Sequence, residues 1–142
     1  MDKTNPPVTF GVFKPVDHTV ITYRTPADMQ SGVDALAALG FNISDTVRYS
    51  PQDMLAQVDA QLIAASPLAS FGYELDLIKI HRAMAQEGCS FLVVYAPEEA
   101  QALQVAKVAQ ASHAVAAQHY GTFLINEVLE PTPGETSPAL DV

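Results

Sequence analysis

Short runs of β-branched and aromatic residues alternate along this chain with longer stretches whose apolar residues recur every three or four positions. Val20 to Arg24 follows polar Asp17-His18 and is the first such run, which predicts a strand. Phe10 to Phe13 predicts a short extra strand that ends at Pro15. Thr25-Pro26-Ala27-Asp28 is a helix start: threonine caps, proline suits the first helical position, and the aspartate meets the positive helix end. Met29, Val33, Leu36 and Ala37 then fall on one stripe, Gly40 is the stop, and Phe41 is placed to fold back.

Val47 to Ser50 predicts a second short strand, and Ser50-Pro51-Gln52-Asp53 repeats the start signal. The helix it opens carries Leu55, Val58, Leu62 and Ala65 on one face and ends near Ser66-Pro67. A third helix from Gly72 to Gln86 carries Leu75, Ile78, Arg82 and Ala85 on one stripe, with Leu77, Ile80 and Met84 beside it. Gly88 closes that helix. Ser90 to Ala96 is apolar without alternation, the mark of a strand covered on both faces. Pro97-Glu98-Glu99 opens an alanine-rich helix to Ser112, and Thr122 to Asn126 predicts the last strand.

The order β-α-β, two helices, β-α-β predicts an α+β fold: a ferredoxin-like split βαβ repeat with a two-helix insertion, about 51–88, between its halves. Residues 1–7 read as a flexible lead, 8–130 as one domain, and Pro/Thr/Ser-rich 131–142 as a disordered tail. Strands 20–24 and 90–96 take the centre of the sheet. Phe91, Val93 and Tyr95 then point one way and Leu92 and Val94 the other, so both sheet faces need cover. The inserted helices, a second subunit or an apolar ligand would supply it. The helix pair acting with a second subunit is the expected arrangement.

Charge narrows the function classes. Seven Lys+Arg against sixteen Asp+Glu give a net charge of −9, and the basic residues form no run. That balance disfavours nucleic acid and anionic membrane surfaces. The stretches 60–73 and 108–126 are respectively too short and too polar to cross a bilayer. The first seven residues hold no apolar signal core, and Cys89 has no second cysteine to pair with, so a reducing cytoplasm is expected.

Histidines stand at 18, 81, 113 and 119 without metal-ligand spacing, so no metal site is expected. His81-Arg82, in the inserted helix, is the best pointer to function. Next to a pocket, His81 would ligate a haem iron or act as an acid/base group. The competing reading is a helix-surface histidine near Glu74 or Asp76. Arg24, Arg48, Tyr23, Tyr49 and Tyr95 end or occupy neighbouring strands, which suits an anion or aromatic-ligand site, and equally suits cross-strand pairing. The candidate ligand-binding set is therefore His81, Arg82, Arg24 and Tyr95. Cys89 lacks a His and Asp/Asn signature for nucleophilic work. The glycines form no phosphate loop, and no strand carries an RNA-binding aromatic motif. No cofactor and no catalytic residue can be named from these patterns.

Pro26-Ala27-Asp28 after a strand, with Leu39-Gly40-Phe41 at the helix end, resembles small bacterial general-stress proteins of the YflT type over about residues 18–50. The segments 72–83 and 91–95 resemble uncharacterised proteobacterial proteins. The resemblance implies a ferredoxin-like domain without established catalysis, and it transfers no functional residue. The expected function is a non-enzymatic, cytoplasmic binding or interaction domain, stress-linked and homo-oligomeric. The alternative is a small-molecule binding protein, haem included, or an enzyme, with its pocket between the sheet and the inserted helices.

Overall fold

The computed structural model describes residues 8–9, 12–13, 16–64, 73–121 and 125–129, with side chains described for 16–60, 76–121 and 127–129. The expected lead and tail lie outside the described residues. A two-stranded hairpin of β1 (Val8–Thr9) and β2 (Val12–Phe13) comes first, where the sequence predicted one short strand. The main sheet is built from β3 (His18–Tyr23), β4 (Thr46–Tyr49), β5 (Ser90–Tyr95), β6 (Ala116–Tyr120) and β7 (Ile125–Leu129). The helices are α1 (Pro26–Ala38), α2 (Pro51–Ala64), α3 (Tyr73–Gln86) and α4 (Glu99–Ala111).

Local chemistry sets the helix ends. Thr25 Oγ1 accepts from the Asp28 amide 3.1 Å away. Ser50 and Asp53 cap α2 reciprocally, each side chain accepting from the other's amide at 3.0 Å. Three helices end in one motif. The amides of Phe41, Cys89 and Ala114 donate back to the carbonyls of Leu36, Met84 and Ala109, past residues 40, 88 and 113 in the left-handed region. Glycine fills that position in two of them. In the third it is His113, at φ 65°.

The sheet order is β4-β5-β3-β6-β7 and every neighbouring pair is antiparallel. α1 joins β3 to β4 across the intervening β5, and α4 joins β5 to β6 across β3. The architecture is a mixed α+β fold of one five-stranded antiparallel sheet and, among the described residues, four α-helices. β3 and β5 are interior strands, paired from His18↔Tyr95 to Tyr23↔Ser90.

Alternate residues of β5 serve two separate cores. Leu92 and Val94 join Ile21, Tyr23, Met29, Val33, Leu36, Val105 and Val108 beneath α1 and α4. Phe91 and Val93 join Val20, Tyr49, Met54, Val58, Leu77 and Met84 beneath α2 and α3. The chain's own inserted helices therefore cover the second face, and no second subunit is required to keep water from it. Burying each such side chain is worth about 1.5–3 kcal/mol.

Three expectations need correction. A strand is absent from the predicted set: Ala116–Tyr120, which the sequence pattern left as a connection, is β6. Its small and polar residues give little strand signal, and pairing to both β3 and β7 decides its state. The last strand is Ile125–Leu129, three residues later than predicted. On α3 the buried face runs through Leu77, Ile78, His81, Met84 and Ala85, so Arg82 belongs to the surface and His81 to the interior. Leu75 and Leu62 lie outside the described side chains.

Candidate functional site

The four predicted site residues do not converge. Tyr95 stands opposite His18 at one end of β3, its ring centroid 5.0 Å from the imidazole's. Arg24 follows the other end of that strand, six positions away, or roughly 20 Å at about 3.4 Å per residue. Arg24 Nη1 lies 3.4 Å from Glu87 Oε1, while its Nη2 is buried with no partner among the described residues. Arg82 ties α3 to α2, Nε to Asp59 Oδ1 at 2.8 Å. Tyr23 and Tyr49 are core residues on opposite sheet faces, and Arg48 is exposed. The expected tyrosine–arginine site is thus dispersed.

His81 is not a helix-surface histidine. It is 3% exposed, stacked edge-on to Phe91 at 5.5 Å between centroids. Its Nε2 lies 3.1 Å from Gln118 Oε1, and Gln118 Nε2 donates to Glu127 Oε2 at 2.9 Å. The amide's nitrogen is committed to a carboxylate, so its oxygen faces the imidazole and His81 must donate from Nε2. Burial pushes the His81 pKa down to about 4, with the Gln118 bond opposing. The ring is therefore neutral at pH 7 and enclosed by its own core. The side chain of Glu74, its expected partner, lies outside the described residues.

A concave site exists elsewhere, on the α1/α4 side of the sheet. Pro97, Glu99, Ala102, Leu103, Ala106, His119 and Val128 line a groove of about 380 Å³ between α4 and strands β6 and β7. The α4 contributors recur at three- and four-residue spacing, which puts them on one helix face. His119 projects from β6. Its Nδ1 shares a 2.8 Å hydrogen bond with Thr19 Oγ1 on β3. Burial lowers the His119 pKa, the Asp17 charge opposing and His18 adding to the shift. Asp17 holds φ 68° where its amide and carbonyl bond Tyr120 and Ala96, fixing the end of the sheet beside the groove. Leu103 is 58% exposed on the groove's rim.

Sequence reading assigned His119 no role because β6 had not been recognised as a strand. Ala116-Ala117-Gln118-His119-Tyr120 shows no alternation of apolar and polar residues, so the sequence carried no signal that pointed to His119. Cys89 is fully buried and burial raises its thiol pKa, the opposite of what a nucleophile needs. Among the described residues no group of three or more His, Cys, Asp or Glu is placed to hold a metal ion, and no helix is long and apolar enough to cross a membrane. No family model, curated protein or solved structure matches the chain.

Proposed function

We propose that this protein is a non-enzymatic, cytoplasmic binding module whose ligand site is the groove between α4 and β6–β7. The observation that carries the reading is the groove's make-up: five apolar residues and two polar ones, Glu99 and His119, around about 380 Å³. Small-ligand sites combine apolar walls with a few fixed polar groups in this way. Binding is favoured over nucleophilic chemistry because the described lining holds no hydroxyl or thiol to act as nucleophile. The alternative pocket between the sheet and α2–α3 has less support. His81, Leu77, Met84, Phe91 and Val93 fill that space at 0–3% exposure, and a haem iron would have to displace them.

Methyl NMR tests the reading with three probes: phenethylammonium, phenylacetate and benzyl alcohol. Saturable shifts at Leu103 and Val128 from any of them support it. No saturable shift at either residue from all three overturns it.

We further propose a ferredoxin-like split βαβ repeat, extended by β7 and by α2–α3, on the strength of the two crossovers that each skip one strand. Self-association and a stress-linked role also stand as proposals. The first draws on Leu39, 50% exposed, and Ile43, 78% exposed, beside the short edge strand β4. Light scattering that returns a strict monomer at micromolar concentration overturns it. Loss of association in Ile43→Asp supports it.

A further inference from the structure

We infer that the α4–β6–β7 groove takes a small organic cation, a protonated primary amine on a short apolar body. This rests on the binding reading above and adds the ligand's charge. Glu99 is the charged side chain in the groove's described lining. His119 does not cancel it, because burial favours the neutral imidazole at pH 7. His119 Nδ1 is tied to Thr19 Oγ1, which leaves Nε2 as the other ring nitrogen; in the tautomer with the proton on Nδ1, Nε2 can accept an ammonium proton. Glu98, whose side chain caps α4, and Asp17, which acts on His119 electrostatically, add negative charge around the groove, set against the positive end of α4 and His18. Lys107 follows the groove's last α4 residue, Ala106, and is not part of the lining. The net charge of −9 draws cations toward the surface and repels carboxylates. Pro97, Leu103 and Val128 then meet the ligand's apolar body. The volume limits that body to a small molecule.

The three-probe titration discriminates, read on the ring protons of His119 and the methyls of Leu103 and Val128. Phenethylammonium is expected to saturate and phenylacetate, with the same ring and opposite charge, is not. Glu99→Gln changes an exposed residue at the helix start, where the fold is expected to tolerate it; it is expected to weaken phenethylammonium about tenfold, the share of one charged hydrogen bond. Binding of phenylacetate or benzyl alcohol as tight as that of phenethylammonium, or an unchanged affinity in Glu99→Gln, overturns the cation inference and leaves the groove as a binding site. Silence from all three probes overturns both.

Discussion

His81 Nε2 donates a 3.1 Å hydrogen bond to Gln118 Oε1, joining α3 to the interior strand β6 through two side chains exposed by only 3% and 0%. A buried polar pair of this kind does not add much net stability when intact. Changing one partner is costly, since the group left behind is buried without a bond.

Stability is expected to fall in acid through His81. The folded-state pKa is about 4, below the ordinary 6.5 of an unfolded histidine. Above pH 6.5 both states are neutral and the residue exerts no pH dependence. Between 6.5 and about 4 the unfolded chain takes up a proton that the folded chain refuses, so stability drops as pH falls, by about 3 kcal/mol over the whole window. Urea unfolding of the wild type and of His81→Leu at pH 7.5, 5.5 and 4.5 measures it. The variant is expected to show a shallower decline, because aspartates and glutamates still titrate in both proteins. Parallel curves would show that His81 does not titrate as described.

Gln118→Leu removes the acceptor for His81 and the donor to Glu127. The expected cost is about 1–3 kcal/mol from the stranded imidazole N–H. Because the Gln118 bond raises the His81 pKa, its loss is expected to lower that pKa further, visible in the ring resonances on acid titration. An upward shift would contradict the donor–acceptor assignment.

Gly32 on α1 faces the hydroxyl of Tyr23, and a Cβ added there would overlap that oxygen. The hydroxyl is held in place: Tyr23 Oη donates to Ser112 Oγ at 2.7 Å, and Ser112 in turn donates to the Val108 carbonyl at 2.6 Å. Gly32→Ala is expected to destabilise by about 1–3 kcal/mol through overpacking, despite alanine's better helix propensity. Adding Tyr23→Phe should recover part of that loss, since it removes the clashing atom. A double mutant that is simply additive would argue that the contact is not the cause.

His113 occupies at φ 65° the place that Gly40 and Gly88 take in the other two helix ends. Its side chain is exposed, so packing does little to offset the left-handed backbone. His113→Gly is expected to stabilise by about 0.5–1 kcal/mol, the steric cost removed less the extra chain entropy of glycine. Thermal unfolding reads this as a rise in Tm, and a fall would mean that the imidazole makes a contact of its own.

Much of the architecture was legible in the residues. Thr25, Ser50, Gly40 and Gly88 mark helix ends because capping and left-handed stops are local chemistry, decided within four or five residues of chain. The unbroken apolar run of Phe91 to Val94 announced an interior strand, because no sheet face leaves such a run in water; Tyr95 at its end, expected to need cover as well, is 41% exposed. What eluded the pattern was nonlocal. Ala116-Ala117-Gln118-His119-Tyr120 has weak strand preference, and only its pairing with Val20 and Glu127 makes it a strand. His81 carries a polar side chain buried where α3 packs on the sheet and satisfied there by Gln118, 37 positions away. The groove obeyed the same rule: Glu99, His119 and Val128 are separated in sequence and meet because α4 crosses the sheet beside β6 and β7. The order of residues was enough to set where helices start and stop and which strand lies inside, since those depend on neighbours along the chain. Tertiary structure decided which polar groups are buried, which are aligned and where a concavity opens, since each depends on residues that only folding brings together.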